Sequence, residues 1–226
     1  MLNNLFGSGG FDSVLFNVLV IVIPALFCIT VHELAHGFTA YRLGDSTAKD
    51  MGRLTLNPIK HIDIVGLLMM VFFRFGWAKP VPVNMYTFKH PKRYMAVTAF
   101  AGPLSNLILA LVAIFIYGLL FVPIRSIGSP VTANFIEGLF LNTVSLSIML
   151  AVFNLLPIPP LDGSKILFSV FSEENYYKLM RYERFGIIIL LLVLNTPIFR
   201  STIGRLTGTL FNSFMPVWHA AVSLVN

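Results

Sequence analysis

Long apolar runs, separated by short polar clusters, set the pattern of this chain. The first extends from about Phe11 to about Leu43 and is uncharged from Val14 to Val31. The second, from about Met95 to Pro123, has no charge, and the third, from about Val131 to Leu156, carries only Glu137 near its start. A membrane-crossing helix needs about 20 apolar residues, with a range of roughly 17–25, so these three runs predict spans. A fourth run, "FGIIILLLVLNTPIF" at 185–199, is short and must borrow flanking residues or sit in a thinned bilayer. The tail from Leu206 to Val225 predicts a fifth span or an interfacial helix, with Pro216 and His219 counting against a span.

Two stretches between the first and second runs break the pattern. "IDIVGLLMMVFFRFG" at 62–76 is apolar but too short for an ordinary span, which predicts a re-entrant or interfacial segment. "STAKDMGRLTLNP" at 46–58 combines Gly, Asn-Pro and a Thr-Leu alternation, which predicts short strands and turns packed at the membrane surface. The expected fold class is an all-α polytopic membrane protein of about four to six transmembrane helices. A small membrane-associated β or re-entrant region is expected between its first two spans.

Composition agrees with this class. Charged residues make up 12% of the 226 residues and hydrophobic ones 56%, with a mean hydropathy of +0.80, whereas soluble domains carry about 25% charged residues. A single cysteine, Cys28, excludes an intrachain disulfide. The net charge of +6 does not point to nucleic acid, because no Lys/Arg run or aromatic–basic interleaving accompanies it. Its placement is informative instead. Nine of the 16 Lys/Arg lie between Arg42 and Arg93 and four more at Lys165, Lys178, Arg181 and Arg184, while only Arg125 falls between the second and third runs. The positive-inside rule then puts the N-terminus outside and both basic loops in the cytoplasm, provided 62–76 dips in and returns. Residues 1–31 contain no Lys or Arg, so the first run lacks the basic flank of a signal peptide and is expected to be retained.

Against this background "ITVHELAHGF", 29–38, carries His32, Glu33 and His36 into a membrane segment. Ionisable groups there are costly and usually functional. Four residues apart on a helix, His32 and His36 share one face at a Cβ separation of roughly 5–6 Å, which lets both imidazoles reach one zinc ion. Glu33, beside the first ligand, flanks the metal and is placed to take a proton from a zinc-activated water and to protonate the leaving amine. A catalytic zinc wants a third protein ligand and one open position. "NLLPIPPLDG", 154–163, offers Asp162, the only acidic residue between Glu137 and Glu173. Its three prolines exclude ordinary helix, and non-helical backbone at membrane depth is tolerated only in protein or against a water-filled cavity. Asp162 is therefore expected to face inward, the competing reading being a surface Asp-Gly turn. Asn106, in an apolar run, has two readings: a donor to substrate backbone or an oxyanion, or an interhelical hydrogen bond with Gly102 as a close-packing site. Cys28 lies one turn before His32 and is read as a buried apolar cysteine rather than a ligand. His61, His90 and His219 lack ligand spacing and are expected in solvated or interfacial positions.

In this order, "VHELAH", "AFAGPLSN" at 99–106 and "NLLPIPPLDG" resemble the site-2 protease family of intramembrane metalloproteases. "GRLTLNP" and "WAKPVPVN" resemble its compact prokaryotic branch, and the likeness covers roughly residues 12–172. The resemblance implies Zn2+ on His32, His36 and Asp162, Glu33 as general base, and Asn154 near the active site. It implies cleavage within or near transmembrane segments of single-span membrane proteins or remnant signal peptides. It also implies a prokaryotic cell membrane with the active site toward the cytoplasm. Residues 1–226 are expected to form one integral-membrane metalloprotease domain, with a catalytic core at about 11–172 and C-terminal helices at about 183–226, and no room for a PDZ or CBS domain. Two other readings remain: a different integral-membrane zinc protease, with Glu173 or Glu174 as third ligand, and a non-catalytic metal carrier. Arg53 to Leu56 is expected as an exposed edge strand that pairs with unwound substrate.

Overall fold

The computed structural model describes residues 11–63, 66, 79–181 and 185–225. Its elements are helices: α1 (Phe11–Arg42), the single turn α2 (Thr47–Asp50), α3 (Pro91–Arg125), α4 (Pro130–Asn154), α5 (Asp162–Phe168), α6 (Glu173–Arg181), α7 (Gly186–Leu194) and α8 (Pro197–Ser223), with 3-10 turns at Pro58–His61 and Met85–Thr87. The three longest apolar runs are helices α1, α3 and α4, each long and apolar enough to cross a membrane. Their starts follow local rules. Pro91 and Pro130 open α3 and α4 at positions where a missing N–H costs nothing, and the Ser129 side chain caps α4 by accepting from Thr132 N–H.

The helix directions follow from contacts that run along their lengths. Phe16 meets Phe135, Val20 lies where a side chain on Gly138 would be, and Cys28 Sγ is 3.1 Å from Ser147 Oγ, so α1 and α4 are parallel. Residues 32 and 36 of α1 touch 106 and 98 of α3, so α1 and α3 are antiparallel. Ala110, Ala113 and Ile114 share a buried cluster with Val144, Ile148 and Val152, and Arg125 pairs with Glu137 at the far end, so α3 and α4 are antiparallel as well. Residues 42, 91 and 154 therefore lie at one end of the bundle, and the segment 43–90 leaves and returns at that end. Large apolar side chains such as Ile23, Phe27, Ile108 and Val112 face outward, as a lipid-facing surface requires.

The fourth apolar run does not stand alone. Thr196 caps a new helix by accepting from Phe199 N–H, and α7 meets α8 at an angle of 83°. Trp218 of α8 packs on Tyr117 and Phe121 of α3, and Ala221 closes on Gly118, so the tail joins the bundle. The described residues thus supply three spans, or four if the bent pair counts as one. That reaches only the lower end of the four to six expected.

The small sheet expected at 46–58 is not there. Thr47–Asp50 is helical, Gly52 turns the chain at a positive φ of 63°, and Pro58–His61 is a 3-10 turn. Among the described residues no strand forms, so Arg53–Leu56 offers no edge; the chain bends at Thr55 and Leu56, with Thr55 N–H closing back on Arg53 O at 3.0 Å. Arg53 is buried rather than exposed and donates to the carbonyls of Lys79 and Pro80. His61, expected in a solvated or interfacial position, is buried with Nε2 2.9 Å from Thr55 O. Most of 62–76 lies outside the described residues.

Asp45 ties this end together. One carboxylate oxygen accepts from Thr47 N–H and Thr47 Oγ1–H, and the other accepts from Asn84 N–H at 2.7 Å. Burial pushes the Asp45 carboxyl up, but the hydrogen bonds from Thr47 and Asn84 together outweigh it and hold the group below its usual value. The stabilisation is therefore fully present above the ordinary carboxylate pKa of about 3.9 and is lost as pH falls through the lower folded value. Asp45→Asn replaces the charged acceptor by an amide, which cannot accept from Thr47 and Asn84 with both of its ends. It should lower stability by roughly 1–3 kcal/mol at pH 7, with the gap to wild type narrowing below about pH 4. Unfolding in detergent micelles at both pH values measures this.

Candidate metal centre and active site

Three side chains from two distant parts of the chain converge inside the bundle. His32 Nε2 and His36 Nε2 are 3.0 Å apart, and each is 3.1 Å from Asp162 Oδ2. All three residues are buried, and they form the one group of three or more metal-capable side chains among the described residues. The fit to a metal is chemical as well as geometric: two imidazole nitrogens and one carboxylate oxygen are an ordinary zinc donor set with room for a fourth ligand. Counting 1.5 Å per helical residue back from Arg42, the pair lies roughly 9–15 Å inside the bundle end.

Local sequence explains each position. α1 continues through the pair without interruption, so the four-residue spacing stacks both rings on the α3 side. After α4 ends at Asn154, the prolines at 157, 159 and 160 keep the chain out of helix until Asp162 opens α5. Gly163 makes the turn fit, since a Cβ there would lie 2.2 Å from Leu155 O.

Helix α3 supports the pair from behind with three residues one turn apart. Thr98 carbonyl accepts from His36 Nδ1 at 2.7 Å, Asn106 Nδ2 lies 3.2 Å from His32 Nδ1, and Gly102 sits between them. A Cβ on Gly102 would come 2.4 Å from His36 Nε2 and 2.7 Å from His32 Cε1.

Glu33, half-buried, accepts from Val81 N–H at 2.7 Å through Oε2. It opens onto a cavity of about 340 Å3 shared with His32, His36, Asp162, Asn154 and Lys165. Lys165 Nζ lies 3.9 Å from Asp162 Oδ1. Of the two asparagines singled out in the sequence, Asn154 lines this cavity, with its Nδ2 on Leu150 O. Asn106 is fully buried behind His32 and is not among the lining residues. Cys28 is fully buried, outside the donor group. Val81 and Lys165 join the site without a site role expected from the sequence, where Lys165 counts only among the basic residues. The only signal for Val81 was the Pro-Val-Pro alternation, which leaves it the sole backbone donor in that triplet.

Residues 20–194 match the model of Peptidase family M50. The chain belongs to peptidase family M50. This M50 peptidase is 42% identical over 181 residues to "Putative zinc metalloprotease YwhC" of Bacillus subtilis, covering 79% of this chain and 81% of that protein. It is 33% identical over 186 residues to "Putative zinc metalloprotease Rip2" of Mycolicibacterium smegmatis, covering 80% of this chain and 68% of that protein. The corresponding match to "Putative zinc metalloprotease MJ0611" of Methanocaldococcus jannaschii is 31% over 163 residues, 72% of this chain and 75% of that protein. No solved structure matches. Family and donor set agree on zinc as the metal.

Gly102 gives the sharpest test of this arrangement. Gly102→Ala must displace both imidazoles, so zinc affinity measured by chelator competition should fall by at least about 10-fold. Gly204→Ala, where a Cβ meets nothing within 4 Å, should leave it unchanged.

Proposed function

We propose that the chain is an intramembrane zinc endopeptidase. Its substrates are single-span membrane proteins or remnant signal peptides, cut within or near their transmembrane segments. The observation that carries this reading is one cavity holding both the buried His32–His36–Asp162 donors and the Glu33 carboxylate, inside an otherwise apolar helical bundle. Bound zinc supplies Lewis-acid polarisation of the scissile carbonyl and of the attacking water. Glu33, with one oxygen held by Val81 N–H, keeps the other to accept a proton from water and return it to the leaving amine. Asn154, on the cavity wall, is placed to hydrogen-bond the substrate. A transmembrane helix buries its carbonyls in its own hydrogen bonds, so substrate must unwind locally before its peptide bond enters.

The basic residues Arg42, Lys49, Lys60, Lys89, Lys92 and Arg93 lie at the end of α1, at the start of α3 or between the two, at the bundle end nearest the donors. The positive-inside rule then orients the active site toward the cytoplasm. The alternatives are weaker. A third ligand from Glu173 or Glu174 is disfavoured by their exposed positions at the start of α6, outside the donor group. A carrier needs ligands spaced along a path, whereas the donors described here converge on one point.

Reconstitution in lipid vesicles with a tagged single-span substrate tests the reading. Wild type should hold about one zinc per chain, the expectation for a three-ligand catalytic site. Glu33→Gln should keep that zinc but cut about 10²–10⁴-fold more slowly, and His32→Ala, His36→Ala and Asp162→Ala should each lower zinc occupancy. A Glu33→Gln chain that cuts at the wild-type rate would sink the proposal.

A further inference from the structure

The cavity that holds the metal donors and Glu33 also holds one ammonium. Among the described residues that line it, Lys165 is the only lysine or arginine. It stands on α5 three residues after Asp162, so both side chains leave one face of that helix. Its surroundings reverse the usual order. Leu167 is 42% exposed and Val170, just past the helix, 76%, whereas the Lys165 side chain keeps 22% of its surface. A lysine ordinarily lays its stem along apolar surface and keeps its head in water. Here the apolar neighbours take the outside and the charge is turned in, the kind of placement that carries information about function. Lys165 is not what fastens Asp162. Its Nζ is 3.9 Å from Asp162 Oδ1, beyond hydrogen-bonding distance, while Asp162 Oδ2 is 3.1 Å from both imidazole nitrogens. The carboxylate therefore draws the ammonium into the cavity by charge, without a hydrogen bond between them. An ammonium has three N–H donors, so it can serve an incoming oxygen alongside a partner of its own.

We propose that Lys165 is a catalytic residue whose ammonium donates to the oxygen of the scissile carbonyl. As water adds to that carbon, a C–O bond forms, one water proton passes to Glu33 and the carbonyl π pair moves onto the oxygen. The C–N bond then breaks, and the leaving amine takes the proton from Glu33. The carboxylic acid so formed gives its remaining proton to the amine, so the same oxygen ends in the product carboxylate. It is an uncharged carbonyl in the bound substrate and carries negative charge from the first step onward. A fixed cation in a half-enclosed cavity meets that charge with less water between them than at an open surface. The contact strengthens as the reaction proceeds, so it belongs to kcat rather than to KM. The inference rests on the endopeptidase reading above.

The full chain in lipid nanodiscs provides the test, with a tagged single-span substrate and with zinc affinity read by chelator competition. Lys165→Met should lower kcat by about 10²-fold, the usual effect of removing one donor to a developing oxyanion, with KM and zinc affinity unchanged. Lys165→Arg, which keeps the charge and the donors, should recover most of the rate. A methionine variant that cuts at the wild-type rate, or that raises KM alone, overturns the proposal. So does one that weakens zinc as Asp162→Ala does, because Lys165 then acts on Asp162 and not on substrate. Failure of wild type to cut overturns the endopeptidase reading itself. Should the methionine variant not fold, labelling decides. A Glu33→Gln chain is given a substrate that bears a lysine-reactive aryl sulfonyl fluoride on the residue at the cut, and the adduct is mapped by mass spectrometry. Lys165 should carry the label. Labelling only of lysines that do not line the cavity, such as Lys79 and Lys92, overturns the proposal.

Discussion

The close approach of α3 to α1 at Gly102 is the contact on which the site depends. A helix in an apolar bundle satisfies its own backbone, but ligand imidazoles each carry a second nitrogen that also needs a partner. Here that partner comes from the neighbouring helix rather than from α1 itself. Helix α3 provides it as one backbone carbonyl and one amide, two turns apart, and only the absence of a Cβ at Gly102 lets those groups reach the rings. A methyl there forces the helices apart and removes both supports together.

From that contact the rest of the bundle follows in register. Antiparallel α3 brings residue 91 back beside residue 42, and α4, antiparallel to α3, delivers residue 154 to the same end. The proline-broken stretch after α4 then has only a few residues to cover before Asp162 meets the histidines, and Gly163 allows the chain to pass tightly over Leu155. Donors 126 residues apart in sequence, His36 and Asp162, thereby become neighbours through the contacts among α1, α3 and α4.

What could be read from the sequence was what periodicity and composition carry. The long apolar runs give α1, α3 and α4 with their ends within four residues, the four-residue histidine spacing gives one face, and the prolines at 157–160 give the break that frees Asp162. The misreadings share a cause. Thr-Leu alternation at 53–56 has the period of a strand, but the chain bends at Thr55 and Leu56 as it folds back toward His61, and that fold is a longer-range fact. His61 is buried because the loop folds back on Thr55, which spacing does not encode. Asn106 stood out as a polar residue in an apolar run, but whether it faced substrate or helix depended on the rotation of α3 against α1. That rotation is set by Gly102 and its neighbours in space.

The stretch Lys79–Asn84 shows how much a loop can position with few donors. Pro80 and Pro82 lack an N–H, so two N–H groups and two carbonyls fasten its first part. Lys79 N–H goes to His61 carbonyl, the carbonyls of Lys79 and Pro80 take Arg53, and Val81 N–H goes to Glu33. Asn84 N–H then closes on Asp45. With only one donor in the Pro-Val-Pro triplet, the hydrogen bond to Glu33 has no competing register on this strand of backbone. The Val81 side chain fixes the same register from the other side, since it and Leu54 occupy the space above Gly37, where a Cβ would come within 2.9 Å of either. A one-residue slip would put a proline nitrogen against the carboxylate and leave Glu33 without its backbone donor. The same proline alternation that makes this segment look irregular therefore gives the carboxylate beside the metal ligands a single orientation.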